Sequence, residues 1–350
     1  MRAAERGGTR GSVLRAHERR ACRTESLRTR VTSTALALGH QVTCLARGSS
    51  GDAPVGAAFV HADRTQPGAY DHVAGGEQWD VVIDVSRQPG QVKSAVAALA
   101  DRTGFFVFVS SGNVYADHST PGQEEDGALL PALTGDVMES METYGQAKVA
   151  CEQHVLRAFG PDRALIARVG LIGGPGDTFD RTGYWPLRFA RPATKDGAVL
   201  VPDAPDLPTQ VIDVRDLSEW LVDAGSRRIA GTFNTTGQTV TLPEHLDVAR
   251  TVAGHPGSVV SADQQWLLTQ GVQEWMGERS LPLWLVDPEW LGFNANDSSK
   301  ARRAGLSTRP LDETLADALA WELSRERNRV RQAGLSDEDE RALLEALAYA

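Results

Sequence analysis

Apolar residues in the first half of the chain come in short, near-continuous runs: HQVTCLAR, AAFVHAD, DVVIDVS, GFFVFVS and ALIARVG. Runs of this length, bounded by turn residues, fit strands buried on both faces, and such strands belong to parallel sheets covered by helices. Before and between them lie segments with helical patterning: VTSTALAL ahead of the first run and closed by Gly39 at a C-cap position, then QVKSAVAALADR and the stretch around Tyr144. Alternation at this spacing predicts an α/β fold, a doubly wound parallel sheet of the Rossmann-like type. From about Asp177 the pattern changes to Pro-, Trp- and Gly-punctuated segments such as GYWPLRFARP and AVLVPDAPDLP. Amphipathic helices follow over LPEHLDVARTVAG and RPLDETLADALAWELSRER, and LSDEDERALLEALAYA begins with Ser336 as a cap. The expected organisation is an irregular, Arg-rich start over 1–30, then the α/β unit over 31–176 with a return segment near 209–236. Residues 177–208 and 237–350 form a smaller C-terminal domain.

Composition narrows the class. At 350 residues the chain can bury a large core. No apolar run approaches the ~18 to 20 residues of a membrane span. A formal net charge of −10 is the wrong balance for a protein that grips nucleic-acid phosphates. Cys22, Cys44 and Cys151 show neither metal-ligand spacing nor a disulfide framework, which reads as neutral thiols in a reducing cytoplasm. Rich Ala, Arg, Gly and Asp usage suggests a GC-rich bacterial source.

The candidate chemistry lies in VFVSSGNVYAD and METYGQAKVACE. Tyr144 and Lys148 are four apart, so a helix puts them on one face with the ammonium beside the phenol. A phenol with a pKa near ~10 handles protons poorly at neutral pH, and a neighbouring cation favours its phenolate. Ser111, at the carboxyl end of a predicted strand, could hold the substrate oxygen whose proton Tyr144 moves. Together the three point to chemistry at a C–OH/C=O centre.

With a buried strand before this helix and another after it, the chain resembles the extended short-chain dehydrogenase/reductase superfamily, the NAD-dependent epimerase/dehydratase family. There SSxxVY supplies the serine, YxxxK the tyrosine and lysine, and RPxxxYGPGD the loop past the next strand. Here that loop runs from Arg168 to Asp177, with Val169 and Gly173 replacing the usual Pro and Tyr. QVIDVRDLSEWLVDA and GTFNTTG match further family stretches, so the resemblance covers roughly Gly39 to Ala320. It implies NAD(P)-dependent oxidation, reduction or epimerisation of a small molecule, such as a sugar nucleotide, by hydride transfer at the nicotinamide. Lys148 would also bind the nicotinamide ribose, and the C-terminal domain would supply the substrate pocket. Dehydratase relatives carry an acid pair after the serine, whereas this chain has Gly112 and Asn113, which disfavours a dehydratase. The alternative from another class is a catalytically impaired relative acting as a dinucleotide sensor or an RNA-binding protein. Acidic charge opposes RNA, and a sensor has no need of both Tyr144 and Lys148. A homodimer is compatible with the family.

The cofactor half departs from the family. Where relatives carry GGTxFxG, this chain reads Cys22, Arg23, Thr24, Glu25, Ser26, Leu27, Arg28, and the preceding AHERRA is too polar for a central strand. Glycine there would let the pyrophosphate approach the helix N-terminus. Gly7, Gly8 and Gly11 have no strand before them and stand too far from the helix. Three explanations stay open: a shifted reading frame or misassigned start, loss of dinucleotide binding, or a tolerated variant. Other contacts can be assigned by the resemblance. Arg47, where NAD-specific relatives have an acidic residue, could pair with a 2′-phosphate, so NADP is favoured over NAD. Asp63 matches the adenine-binding position. Ser86 and Arg87 stand at the turn that passes the pyrophosphate, Arg87 as a phosphate contact or a surface charge, and Ser110, Gly170 and Leu171 are further cofactor-binding positions. Asp213 and Arg215 are expected to join the domains, and Trp185 and Trp220 to pack.

Overall fold

The computed structural model describes residues 12–15, 25–48, 53–76, 78–327 and 329–349, with side chains from Leu27 onward. In the first half the strands are β1 (Ser12–Arg15), β2 (Val42–Ala46), β3 (Ala58–His61), β4 (Trp79–Asp84), β5 (Thr103–Ser111) and β6 (Ala164–Val169). They are followed by β7 (Leu171–Gly173), β8 (Val199–Pro202), β9 (Pro208–Asp213) and β10 (Gly231–Thr235). Helices α1 (Glu25–Ala37), α2 (Asp71–Ala74), α3 (Pro89–Leu99) and α4 (Tyr144–Phe159) alternate with the early strands. Later come α5 (Tyr184–Ala190), α6 (Val214–Ser226), α7 (Leu242–Ala253), α8 (Gln264–Thr269), α9 (Ser299–Arg303), α10 (Leu311–Ser324) and α11 (Asp337–Ala348). Among the described residues no helix is long and apolar enough to cross a membrane.

The main sheet has seven strands in the order β3-β2-β1-β4-β5-β6-β10, every neighbouring pair parallel. Strand order reverses between β1 and β4, and such a switch point is where open parallel sheets bind ligands at their carboxyl ends. β5 shows why the apolar runs are continuous. Phe105, Val107 and Val109 face the core under α1 and α6, and Phe106 and Phe108 face the core under α3 and α4.

Of the start expected to be irregular over 1–30, residues 12–15 and 25–30 are described and are regular, a strand and the first turns of α1, while 1–11 and 16–24 lie outside the described residues. Ser12–Arg15 pairs in parallel with both β2 and β4, and α1 begins at Glu25. Four residues are too few to register as an apolar run; the ladders on either side define this strand. The polar AHERRA, residues 16–21, lies outside the described residues. Residues 16–24, the link from β1 to α1, contain no glycine and lie outside the described residues, as do Cys22, Arg23 and Thr24 of the expected fingerprint. Arg28 falls in the first turn of α1 and is 4% exposed.

Gly39 ends α1 with φ +84°, His40 N–H donating to the Ala35 carbonyl. Ser336 caps α11 through the Asp339 amide, and Thr241 and Glu244 form a reciprocal box on α7. The second core gathers Trp185, Phe189, Leu246 and Trp284, and Trp220 packs on Phe233 beneath the sheet. Both tryptophans named from sequence are therefore packing residues. Asp213 caps α6 and accepts from the Arg215 side chain, which also pairs with Asp317 on α10, while Arg309 pairs with Asp216. These pairs tie α6, which covers the sheet, to the C-terminal segment.

His245 on α7 is fully buried, and neither ring nitrogen has a hydrogen-bond partner. Burial favours the neutral ring and pushes its pKa down to about 4. The unfolded chain takes up a proton near ~6.5, where the folded protein does not, so this contribution to stability is present above that value and is lost as pH falls toward 4. Urea unfolding of the parent and of His245→Met between pH 7 and pH 4.5 should show the parent losing about 1.4 kcal/mol more per pH unit below ~6.5. Parallel pH profiles for the two proteins would contradict this.

Candidate active site

The site forms where β4 and β5 end and α4 begins. Ser111 closes β5 and caps the short helical turn Gly112–Val114, with its hydroxyl donating to Asn113 Oδ1 at 2.9 Å. Ser110, one residue earlier, faces the opposite side of the strand, and its hydroxyl donates to Glu152 Oε1 at 2.5 Å. Parity along the strand therefore separates the two serines: Ser111 turns into the site, and Ser110 braces α4. Glu152 in turn holds Arg168 through two hydrogen bonds, and the Arg168 guanidinium lies over the Tyr115 ring.

Tyr144 opens α4, and Gly145 lets that first turn approach the end of β5. A Cβ on Gly145 would lie 2.2 Å from the Asn113 carbonyl oxygen. One turn on, Lys148 is 3% exposed, and its ammonium donates to the carbonyls of Ser86 at 2.8 Å and Val109 at 2.6 Å. It lies 6.0 Å from the centre of the Tyr144 ring and 4.7 Å from that of Phe108. Ser111, Tyr144 and Lys148 all line one cavity of about 940 Å³, together with Val85, Ser110, Gly170 and Leu171. The three residues read as a catalytic set from the sequence are thus brought together.

The remaining sequence-named residues fall into two groups. Ser86 is buried in the turn after β4, its hydroxyl bonded to Gln91 and its carbonyl to Lys148, and Arg87 reaches the sulfur of Met141. At the far side of the switch point, Arg47 after β2 and Asp63 after β3 lie 3.8 Å apart as a half-exposed ion pair. The residue proposed to meet a phosphate thus stands beside a carboxylate. Gly48 follows with φ +79° and packs its backbone against the His61 ring.

Sequence reading missed Arg64 and Asp84. Asp84 ends β4 with no exposure and accepts two hydrogen bonds from Arg64, at 3.0 and 2.6 Å. Arg64 also donates to the Tyr70 hydroxyl and the Gln91 carbonyl. Asp84 Oδ1 takes the Ser86 amide at 2.9 Å, so the pair fixes the turn whose carbonyl holds Lys148. An acid closing the apolar run Val81–Ile83 was the available signal; its partner, 20 residues away, was not visible. The remaining described thiols are inert: both Cys44 and Cys151 are buried, and burial pushes the Cys151 thiol up to about 12.

No family model matches the chain. A curated relative from Haloferax volcanii, described as a low-salt glycan biosynthesis reductase, is 30% identical over 148 residues. That alignment spans 42% of this chain and 45% of the relative. Among solved structures, UDP-N-acetylglucosamine 4-epimerase from Bacillus cereus matches with a TM-score of 0.62 at 14% identity, covering 92% of this chain and 99% of that one. UDP-glucose 4-epimerase from Thermus thermophilus, solved as a complex with NAD, matches with a TM-score of 0.59 at 15% identity over 90% and 100%. At these identities the likeness establishes a shared fold.

Removing one member of a buried ion pair strands the other charge and costs about 3–5 kcal/mol, whereas an apolar replacement of both is close to neutral. Asp84→Asn should therefore lower the unfolding free energy by about that amount, and Arg64→Met with Asp84→Leu should recover most of it. Chemical denaturation of the three proteins measures this; equal stability of Asp84→Asn and the parent would refute the bracing role.

Proposed function

We propose that this chain, which carries the fold of the extended short-chain dehydrogenases and reductases, is a nicotinamide-dependent oxidoreductase or epimerase acting at a C–OH/C=O centre of a small molecule. The observation that carries the reading is the convergence of Ser111, Tyr144 and Lys148 on one cavity at the carboxyl end of β5. A nicotinamide dinucleotide fits the residues present. The cavity opens at the switch-point end of the sheet, where the buried Lys148 ammonium and the Gly170–Leu171 backbone would take its nicotinamide and ribose. The turn at Ser86 and Arg87 would take its middle, and Arg47 and Asp63 its adenosine end. When bound, the cofactor supplies the hydride acceptor or donor.

The chain does the rest. Ser111 presents its hydroxyl to the substrate oxygen and orients it. Tyr144 moves the proton at that oxygen, as a general base in oxidation and a general acid in reduction. Lys148, fixed against two strand-end carbonyls, keeps positive charge one helical turn from Tyr144. NAD in the Thermus thermophilus structure of the same fold, and the description of the Haloferax volcanii relative as a reductase, support this class.

NADP is the favoured cofactor. Arg47 follows β2, where a carboxylate would repel a 2′-phosphate, and its guanidinium can instead pair with one. Asp63 opposes that preference from 3.8 Å away.

Two measurements test the reading. Tyr144→Phe should lower kcat by about 10² to 10⁴ with the circular dichroism spectrum and melting temperature unchanged, because only the proton-handling hydroxyl is removed. Retention of most activity would overturn the assignment of Tyr144. In calorimetric titrations the parent should bind NADP more tightly than NAD; Arg47→Ala should narrow the gap by roughly tenfold and Asp63→Asn should widen it. Equal affinities of the parent for both cofactors would sink the preference.

A further inference from the structure

The cavity that holds Ser111, Tyr144 and Lys148 has a second wall, made of rings. His118, from the loop after β5, stacks on Trp290 with centroids 4.7 Å apart and planes within 16°. Phe293 meets His118 edge-on at 5.3 Å and Trp290 at 5.5 Å, and Trp275 meets Phe293 at 5.8 Å. All four line the cavity and all four remain partly exposed. Burial lowers the pKa of His118 and favours its neutral ring. The result is one continuous aromatic surface, contributed by the loop after β5 and by residues 275–293, partly exposed and lining the same cavity as Tyr144.

Among the described lining residues, charge at the same cavity has the opposite sign from what a phosphorylated ligand needs. Among the described lining residues, the carboxylates of Asp117, Glu142 and Glu289 stand at exposed positions. Hydrogen bonds from Thr120 and Ser119 hold Asp117 down to about 2, so it is ionised throughout the working range. Asp177 is taken up by the amides of Phe179, Arg181 and Thr182. Against these stand Lys148, committed to the Ser86 and Val109 carbonyls, and Arg181, whose guanidinium lies 4.9 Å from the Phe179 ring and 5.2 Å from the Trp275 ring. A diphosphate would bring two further negative charges to this rim. Like-charge juxtaposition discriminates against such a ligand, while ring faces select for flat apolar ones.

We propose that the substrate is an uncharged alcohol or ketone bearing a flat unsaturated ring, stacked on the Trp290–Phe293 surface with its oxygen at Ser111 and Tyr144, and that sugar nucleotides are excluded. This rests on the reading of Ser111, Tyr144 and Lys148 as the reacting centre. Trp290, Phe293 and Trp275 then determine specificity, and the acidic rim rejects phosphate esters.

The test is calorimetric titration of the full chain, with NADP present and without it, using 4-phenyl-2-butanone and UDP-glucose as probes. The ketone should bind saturably, Trp290→Ala should weaken it by about tenfold, and Trp290→Phe should restore most of the affinity, since a ring face is worth about that factor. UDP-glucose should give no saturable heat. A charge reversal at two exposed positions, Glu142→Lys with Glu289→Lys, should leave ketone affinity nearly unchanged and improve UDP-glucose binding by at least about tenfold. The inference is overturned if the parent binds UDP-glucose more tightly than the ketone, if Trp290→Ala binds the ketone as the parent does, or if the charge reversal leaves UDP-glucose binding unchanged. Turnover of a sugar nucleotide would overturn it while leaving the reacting centre intact. Ketone binding without any Tyr144-dependent turnover would do the reverse: it would sink the reacting centre and leave the ring surface standing.

Discussion

A single buried ammonium holds the working end of this molecule together. Lys148 comes from a helix, yet its charge is satisfied by carbonyls from two different strand ends, Ser86 after β4 and Val109 near the end of β5. A buried, unpaired ammonium is costly, so the helix and the two strand ends have to meet in this one register. Tyr144 lies one turn away on the same helix face, and Ser111 two residues beyond Val109. Once Lys148 is satisfied, the positions of both follow from helical and strand geometry.

Two buried ion pairs flank that point and act on it from opposite sides. Arg64 and Asp84 fix the turn that offers the Ser86 carbonyl, and Asp84 spends a second lone pair on the Ser86 amide. Glu152 and Arg168 fix the other flank, and Glu152 also takes the Ser110 hydroxyl. Pairs of this kind contribute little net stability against apolar substitutes, because desolvation offsets most of the attraction. What they supply is direction: each carboxylate is bonded to groups on several elements, so those elements have one satisfactory arrangement. A charged scaffold surrounds the chemistry where apolar packing alone would leave the strand ends free to slide.

The ring-lined side of the cavity is built on a different principle. The C-terminal segment is tied to α6 by Arg215 to Asp317 and Arg309 to Asp216, and residues 275–293 are joined to the loop after β5 by the Gly292 amide, which donates to the His118 carbonyl at 2.7 Å. Trp275, Trp290 and Phe293 line the same cavity as Tyr144. Fold likeness to UDP-sugar epimerases leaves this wall unspecified, since scaffold and site vary independently in such folds.

Buried parallel strands announce themselves as uninterrupted apolar runs, so β2, β4, β5, β6 and the helices between them were legible in the sequence. Ser111, Tyr144 and Lys148 were legible because helix and strand periods are fixed, and four residues on α4 or the last residue of β5 imply a direction in space. Trp185 and Trp220 as packing residues and Asp213 with Arg215 as a joint were readable on the same local grounds. β1 was not legible, because four residues carry no period and only the ladders of β2 and β4 define it as a strand. Nor was the opposite facing of Ser110 and Ser111 until Glu152 was seen to claim one of them. The Arg64–Asp84 pair, the Arg47–Asp63 pair and the ring surface join residues far apart in sequence, and nothing local encodes such contacts. Sequence by itself determined which elements form and which side chains share an element; tertiary structure decided which elements meet, because that choice is made by satisfying buried charges and apolar faces across the whole chain at once.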